Sequence, residues 1–212
     1  MSVWQGREDA EEATPAKRWH QVMLPLDDVS WTESNVLLGF ACDEGVRRNK
    51  GRLGASDGPK SIRGALANLS YQGDNPIYDA GDVVCYGDQM EAAQAGLSSA
   101  IEKMLASDMH ITVLGGGHEI AWANHQGIMK YLGRRESHTR SSLPESASLK
   151  TLGIINFDAH LDLRNPAKQT SSGTPFRQIA QWCEAHQEPF HYHVIGVNPS
   201  ANTNALFDYA RQ

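Results

Sequence analysis

Short apolar runs alternate with segments of helical period along most of this chain, and that alternation limits the folds open to it. Residues 35–40 (Asn-Val-Leu-Leu-Gly-Phe), a stretch near 82–86, and residues 110–114, 152–157 and 192–197 are brief and apolar, as buried strands are. Between them the pattern predicts helices. One covers 60–69, opened by Pro59, whose fixed φ suits a first helical turn. Another covers 89–105, where Met90, Ala93, Leu97, Ile101, Met104 and Leu105 recur on one face. Others run from the Gly115–Gly117 turn to about Leu132, over 174–185 and over 201–210. Strands and helices in alternation call for a parallel sheet with helices on both faces and right-handed crossovers. The predicted fold class is therefore α/β, a three-layer α/β/α arrangement in one domain over residues 21–212. Residues 1–20 are expected to form a flexible tail. Gly133 to Lys150, with Arg134, Arg135, Glu136 and a serine-rich stretch, is expected to be a solvated loop.

Composition removes several classes of function. The chain has 212 residues, 40% hydrophobic and 21% charged, enough to bury a sizeable core. Its net charge of -6 and lack of a basic stripe argue against nucleic acid as a partner. No apolar run approaches the ~20 residues of a membrane span. The first residues lack the apolar core of a secretory signal. Cys42, Cys85 and Cys183 stand far apart and form no Cys-x-x-Cys pair, so reduced thiols in a cytoplasmic protein are expected.

The chemistry concentrates in Ile155-Asn156-Phe157-Asp158-Ala159-His160-Leu161-Asp162, directly after a predicted strand. Alternate side chains of an extended backbone point the same way, so Asp158, His160 and Asp162 can converge on one point. The competing view is that three polar residues merely end a strand. A second motif, Leu114-Gly115-Gly116-Gly117-His118-Glu119, lies where another strand turns into a helix. Glycines allow the tight turn, and His118 then sits at the carboxyl end of its strand, the edge where open parallel sheets bind ligands. Alone, such a turn can equally hold a phosphate. Joined to the Asp-His-Asp run, it reads as a divalent-metal site, since neutral imidazole and carboxylate together suit a first-row ion. Two such ions need a bridging carboxylate, for which Asp158 is well placed, and a metal-bound water loses its proton readily enough to attack an unreactive carbon.

Other candidates are weaker. Residues 51–61 have the look of a phosphate loop, but Pro59 separates Gly58 from Lys60, so nucleotide binding is rejected. His191 and His193 alternate at a strand start and read as structural. His125 reads as a core residue. Arg164, close behind the ligand run, either grips a substrate carboxylate in a fork or makes a structural ion pair.

Gly-Gly-Gly-His118 and Asp158-Ala159-His160-Leu161-Asp162, together with Gly51 through Arg63 (GRLGASDGPKSIR), resemble the motifs of the ureohydrolases, the arginase, agmatinase and formiminoglutamase family. The resemblance runs from about residue 35 to the C-terminus. It implies an arginase-like fold around a binuclear Mn2+ centre, with His118 and Asp162 on one ion, His160 on the other and Asp158 bridging. It implies no catalytic side chain beyond the metal-bound hydroxide. In Ser171-Ser172-Gly173-Thr174-Pro175-Phe176-Arg177, Ser172 stands where arginases and agmatinases typically carry histidine. With Arg164, that resembles the formiminoglutamase branch. The implied reaction is hydrolysis of N-formimino-L-glutamate to L-glutamate and formamide, with Arg164, Ser172 and Arg177 on the substrate side. Agmatinase-like or guanidino-acid hydrolysis and a catalytically silent metal-binding chain are the alternatives. Family members also assemble as trimers or hexamers. One departure is plain. The family has a further Asp-x-Asp pair toward its C-terminus, whereas the only aspartate here after Asp162 is Asp208. The chain thus resembles a ureohydrolase missing its C-terminal strands. Weak or single-ion binding, little activity and an exposed apolar sheet edge are expected.

Overall fold

A computed structural model describes residues 3–11, 16–26, 33–139 and 152–212. In chain order the elements are α1 (Trp19–Val22), β1 (Met23–Pro25), β2 (Asn35–Ala41), α2 (Glu44–Arg48), α3 (Gly58–Ala67), β3 (Ile77–Val84) and α4 (Met90–Ala106). They continue with β4 (His110–Leu114), α5 (Ile120–Thr139), β5 (Gly153–Phe157), α6 (Pro175–His186), β6 (His191–Ile195) and α7 (Asn204–Ala210). Every strand pairing among them is parallel.

The side-chain alternation of β2 shows why the fold has three layers. Val36, Leu38 and Phe40 point to one side, into a core with Leu97 and Ile101 of α4 and Ala123 of α5. Leu37 points to the other, where it packs with Ile77, Leu114, Leu66 of α3 and Trp19 of α1. A strand buried on both faces must be apolar at every position, which is how this one reads. Helix α5 joins this core to the next. Gly127 lets it approach α4 closely, since a Cβ there would lie 2.8 Å from Ile101 Cβ. Its Ala121 and Trp122 pack instead on a second core built from Leu161, Leu163, Phe176, Ile179 and Cys183.

The sheet is split. Four strands run in the order β1-β3-β2-β4, while β5 and β6 form a separate pair. Among the described residues, the β5–β6 pair is covered on one face only. Its other face leaves Ile155, Phe157 and Ile195 exposed at 65%, 78% and 53%, values far above those of parallel strands buried on both sides. The sequence reading expects an exposed apolar edge, whereas the apolar surface left open here is a face of the pair. Self-association and dye binding through it should follow. Replacing Phe157 and Ile195 by serine should lower both, as read by sedimentation velocity and by fluorescence of an apolar-surface dye.

Three stretches differ from the sequence-based expectation. Strand β3 starts at Ile77 rather than near Asp82, because its pairing with β2 slips between Leu37 and Gly39 and the slip admits the turn-like Asp79-Ala80-Gly81-Asp82. Gly81 takes φ +73° there. Helix α5 continues past Gly133 to Thr139, and Arg134 Nε reaches Glu102 Oε1 on α4 at 2.6 Å. Residues 140–150 of the expected loop lie outside the described residues. Within residues 1–20, Trp4 Nε1 donates to Asp79 Oδ2 at 2.7 Å, and Arg18 forms an antiparallel bridge with Ser70.

Candidate metal centre

The turn after β4 is laid against the end of β2. Gly116 N donates to Phe40 O at 3.1 Å and Gly117 N to Cys42 O at 2.8 Å. A Cβ on Gly116 would lie 2.4 Å from Cys42 O and 2.5 Å from Phe40 O, both backbone atoms, so only glycine fits. Glu119 locks the turn from the other side. Its side chain is 1% exposed, Oε1 accepts from Gly45 N at 3.0 Å, and its own carbonyl accepts from Gln94 Nε2 at 2.8 Å. Burial pushes the Glu119 carboxyl up from its ordinary range. His118, between these two anchors, is fixed at the carboxyl edge of the sheet.

Three of the four expected ligands meet there. His118 Nδ1 lies 2.7 Å from Asp162 Oδ2 and 3.2 Å from Asp158 Oδ2. One ligand atom from each of the three falls within 4.8 Å of the others. His160 is outside this trio among the described residues. Its side chain is 58% exposed, with Nδ1 3.3 Å from Asp158 Oδ1. Asp158 therefore turns one oxygen to His118 and the other to His160.

The route to this convergence differs from the expected one. The strand ends at Phe157, and residues 158–162 form an irregular loop rather than an extended run. Asp162 adopts φ +45°, a left-handed conformation that aspartate tolerates better than most residues. The loop, not strand alternation, brings Asp158 and Asp162 together and leaves His160 toward solvent.

The donor set suits a divalent cation. Two carboxylates face one half-buried point and require positive charge between them. The His118 imidazole lies against both carboxylates. Burial works against its charged form, but the hydrogen bond to Asp162 and the charges of Asp162 and Asp158 outweigh that and raise its pKa.

The expected substrate-side residues are not gathered as closely. Arg164 is exposed, and its Cδ passes so near Gly173 that a Cβ there would lie at 2.8 Å. Ser172 is buried, with its amide on Gly45 O at 3.0 Å. Arg177 stacks on Tyr209 of α7, its guanidinium carbon 4.0 Å from the ring centroid. His191 and His193 are both exposed on the open face of β6. Glu119 was not singled out by the sequence. Its signal was an acidic residue placed where a glycine turn enters a helix.

His125 is a core residue, 4% exposed, stacked on Trp122 at 5.9 Å and edge-on to Trp182 at 5.1 Å. Burial alone lowers its pKa from 6.5 to about 4. A lowered histidine pKa means that the unfolded chain takes up the proton first. The His125 contribution to stability should be level above about pH 6.5, fall as pH drops toward about 4, and level off below that, losing roughly 3 kcal/mol. Urea unfolding of the wild type and of His125→Phe across this range tests it. The variant should lack this component of the pH dependence.

A three-layer α/β protein with an imidazole–dicarboxylate cluster at the carboxyl edge of its sheet has a donor set that could hold a divalent cation. The chain belongs to the arginase family, whose model matches residues 33–212. It is 48% identical to the formimidoylglutamase of Ralstonia nicotianae over 212 residues, covering 100% of this chain and 62% of that protein. The formimidoylglutamase of Photobacterium profundum is 45% identical over 231 residues, covering 99% and 63%. Among solved structures, Trypanosoma cruzi formiminoglutamase with Mn2+ superposes with a TM-score of 0.72 at 26% identity, over 93% of this chain and 63% of that one. The chain thus spans about 62–63% of the length of these relatives.

Proposed function

We propose that this chain carries the metal half-site of a Mn2+-dependent hydrolase that splits N-formimino-L-glutamate into L-glutamate and formamide, a step of histidine breakdown. The observation that carries the reading is the meeting of His118, Asp158 and Asp162 within 4.8 Å. The likeness to formimidoylglutamases at 45–48% identity supports the choice of substrate. In this reading His118 and Asp162 would hold one ion and His160 would belong to a second. Asp158 turns one oxygen to each histidine and would serve both. Bound divalent ions lower the pKa of water and polarise an amidine.

The chain's own residues do the rest. Phe176 sets its ring edge-on to His118, with centroids 5.3 Å apart, and walls the site on that side. Arg164, exposed behind the loop, is the reader of a substrate carboxylate, with Ser172 and Arg177 contributing to the same side. Agmatine has no carboxylate and gives such a residue nothing to grip. Residues 163–212 carry no Asp-x-Asp pair, so these 212 residues by themselves should bind Mn2+ weakly or as a single ion and turn over slowly. A cytoplasmic setting belongs to the same reading, and the three free thiols fit it.

The experiment is a Mn2+ titration by calorimetry, followed by assays with N-formimino-L-glutamate, agmatine and L-arginine. One weak site and slow turnover confined to N-formimino-L-glutamate are expected. Turnover of agmatine instead would move the chain to another branch, and two tight sites would contradict the half-site reading.

A further inference from the structure

The loop that carries Asp158, His160 and Asp162 is irregular, yet four of its backbone polar atoms (Asp158 N, Ala159 O, Leu161 N and Leu161 O) are held by one stretch of chain, residues 192–202. Asp158 N donates to Ile195 O at 3.0 Å, and Asn198 N donates to Ala159 O at 2.9 Å. The side chain of Asn202 then works both sides of the loop. Its Oδ1 accepts from Leu161 N at 2.9 Å, and its Nδ2 donates to Ala159 O at 2.8 Å and to Asn198 O at 2.9 Å. An amide N–H on one side and two carbonyls on the other leave only one orientation of the amide that satisfies them. Asn202 is 9% exposed, so these bonds face little competition from water. Tyr192 completes the arrangement: its hydroxyl donates to Leu161 O at 3.0 Å and accepts from Asn156 Nδ2 at 3.1 Å.

Leu161 is therefore pinned at both its N–H and its C=O, by side chains more than thirty residues away in sequence. It stands between His160 and Asp162. The next residue, Asp162, holds the unfavourable φ of +45° while its carboxylate meets His118 at 2.7 Å. A non-glycine residue keeps such a conformation only when its surroundings over-determine it. Here the surroundings are these hydrogen bonds and the buried Leu161 side chain.

We infer that Asn202 and Tyr192 are positioning residues for the metal site: they clamp Leu161 and so set the directions in which the carboxylates of Asp158 and Asp162 are presented. The inference rests on the metal-site reading above. Partners that orient ligating groups commonly change metal affinity by about 10–100-fold when removed.

The test compares Asn202→Ala, Tyr192→Phe and, as a control, Met104→Ala, which empties a buried position in the other core. Mn2+ affinity is measured by electron paramagnetic resonance, and hydrogen exchange by mass spectrometry on the peptide spanning 158–163. Asn202→Ala should weaken Mn2+ binding about 10-fold or more and speed exchange in that peptide while sparing the His118 turn. Tyr192→Phe, which keeps the ring stacked on Phe176 and removes only the hydroxyl, should do the same to a smaller degree. Met104→Ala should lower the melting temperature without either effect. Wild-type affinity in Asn202→Ala, or an equal loss in Met104→Ala, would overturn the clamp. Should Asn202→Ala fail to fold, Tyr192→Phe decides the matter by the same criteria. Should the wild type bind no Mn2+, the metal reading falls. Exchange in peptide 158–163 then still judges the clamp, and unchanged rates would refute it.

Discussion

Asp162→Ala is expected to weaken Mn2+ binding by at least about 100-fold, the largest single effect on function from any substitution in this chain. Asp162 makes the shortest contact of the trio, 2.7 Å to His118, and is the least exposed of the three at 15%. Its loss removes one of two carboxylates and the main partner that holds the imidazole in place. Asp158→Ala should act comparably, since its oxygens face both histidines. His160→Ala should cost much less in this chain, because that ring lies outside the trio and faces solvent. The ordering Asp162 and Asp158 well above His160, read by calorimetry, is the signature of the observed geometry. A family-like pair of equivalent ion sites would make His160 as costly as the others. Proton competition adds a second signature. The His118 pKa is raised, so acidification favours the imidazolium, which offers no free nitrogen lone pair, and Mn2+ affinity should fall as pH is lowered.

The largest expected loss of stability follows Arg63→Met, about 3–5 kcal/mol. Arg63 is 3% exposed and lies inside the segment that resembles the family's glycine-proline motif. Its guanidinium donates to Asp79 Oδ1 at 2.8 Å, Asp82 Oδ1 at 2.6 Å and Gly81 O at 2.9 Å. Those three acceptors form the irregular stretch of β3, so the arginine both neutralises two carboxylates and braces the register slip. Asp79 in turn accepts from Trp4, which links the N-terminal segment to the same node. Removing the cation leaves two acidic groups facing each other with no counter-charge. Arg63→Lys should recover only part of the loss, because an ammonium cannot serve the three acceptors as a planar fork does. Urea unfolding measures this, and a loss below about 1 kcal/mol would contradict the assignment.

Much of this was readable in advance, for physical reasons that differ by element. The strand His110–Leu114 shows itself as a short apolar run and the helix over 89–105 through sustained periodicity, and the structure places both within a residue or two. The glycine turn before His118 was legible because close approach to backbone admits no side chain. Strand β3 was read short because Asp79 to Asp82 carries turn chemistry, and the buried arginine that overrides it comes from another element. Helix α5 was read short because its last turns are polar, and polar residues with good helix propensity look like loop when nothing shows what they pack against. The convergence of Asp158 and Asp162 with His118 was anticipated, but through an extended strand. The loop that produces it depends on Asn202 and Tyr192, whose part no local pattern discloses.

The central claim is that His118, Asp158 and Asp162 together hold a divalent cation. Crystals of this chain grown with saturating Mn2+ and measured at the manganese absorption edge test it most directly. An anomalous peak within coordination distance of His118 Nδ1 and of both carboxylates is the expected result. A peak located elsewhere, or none at this point under saturating Mn2+, would contradict it.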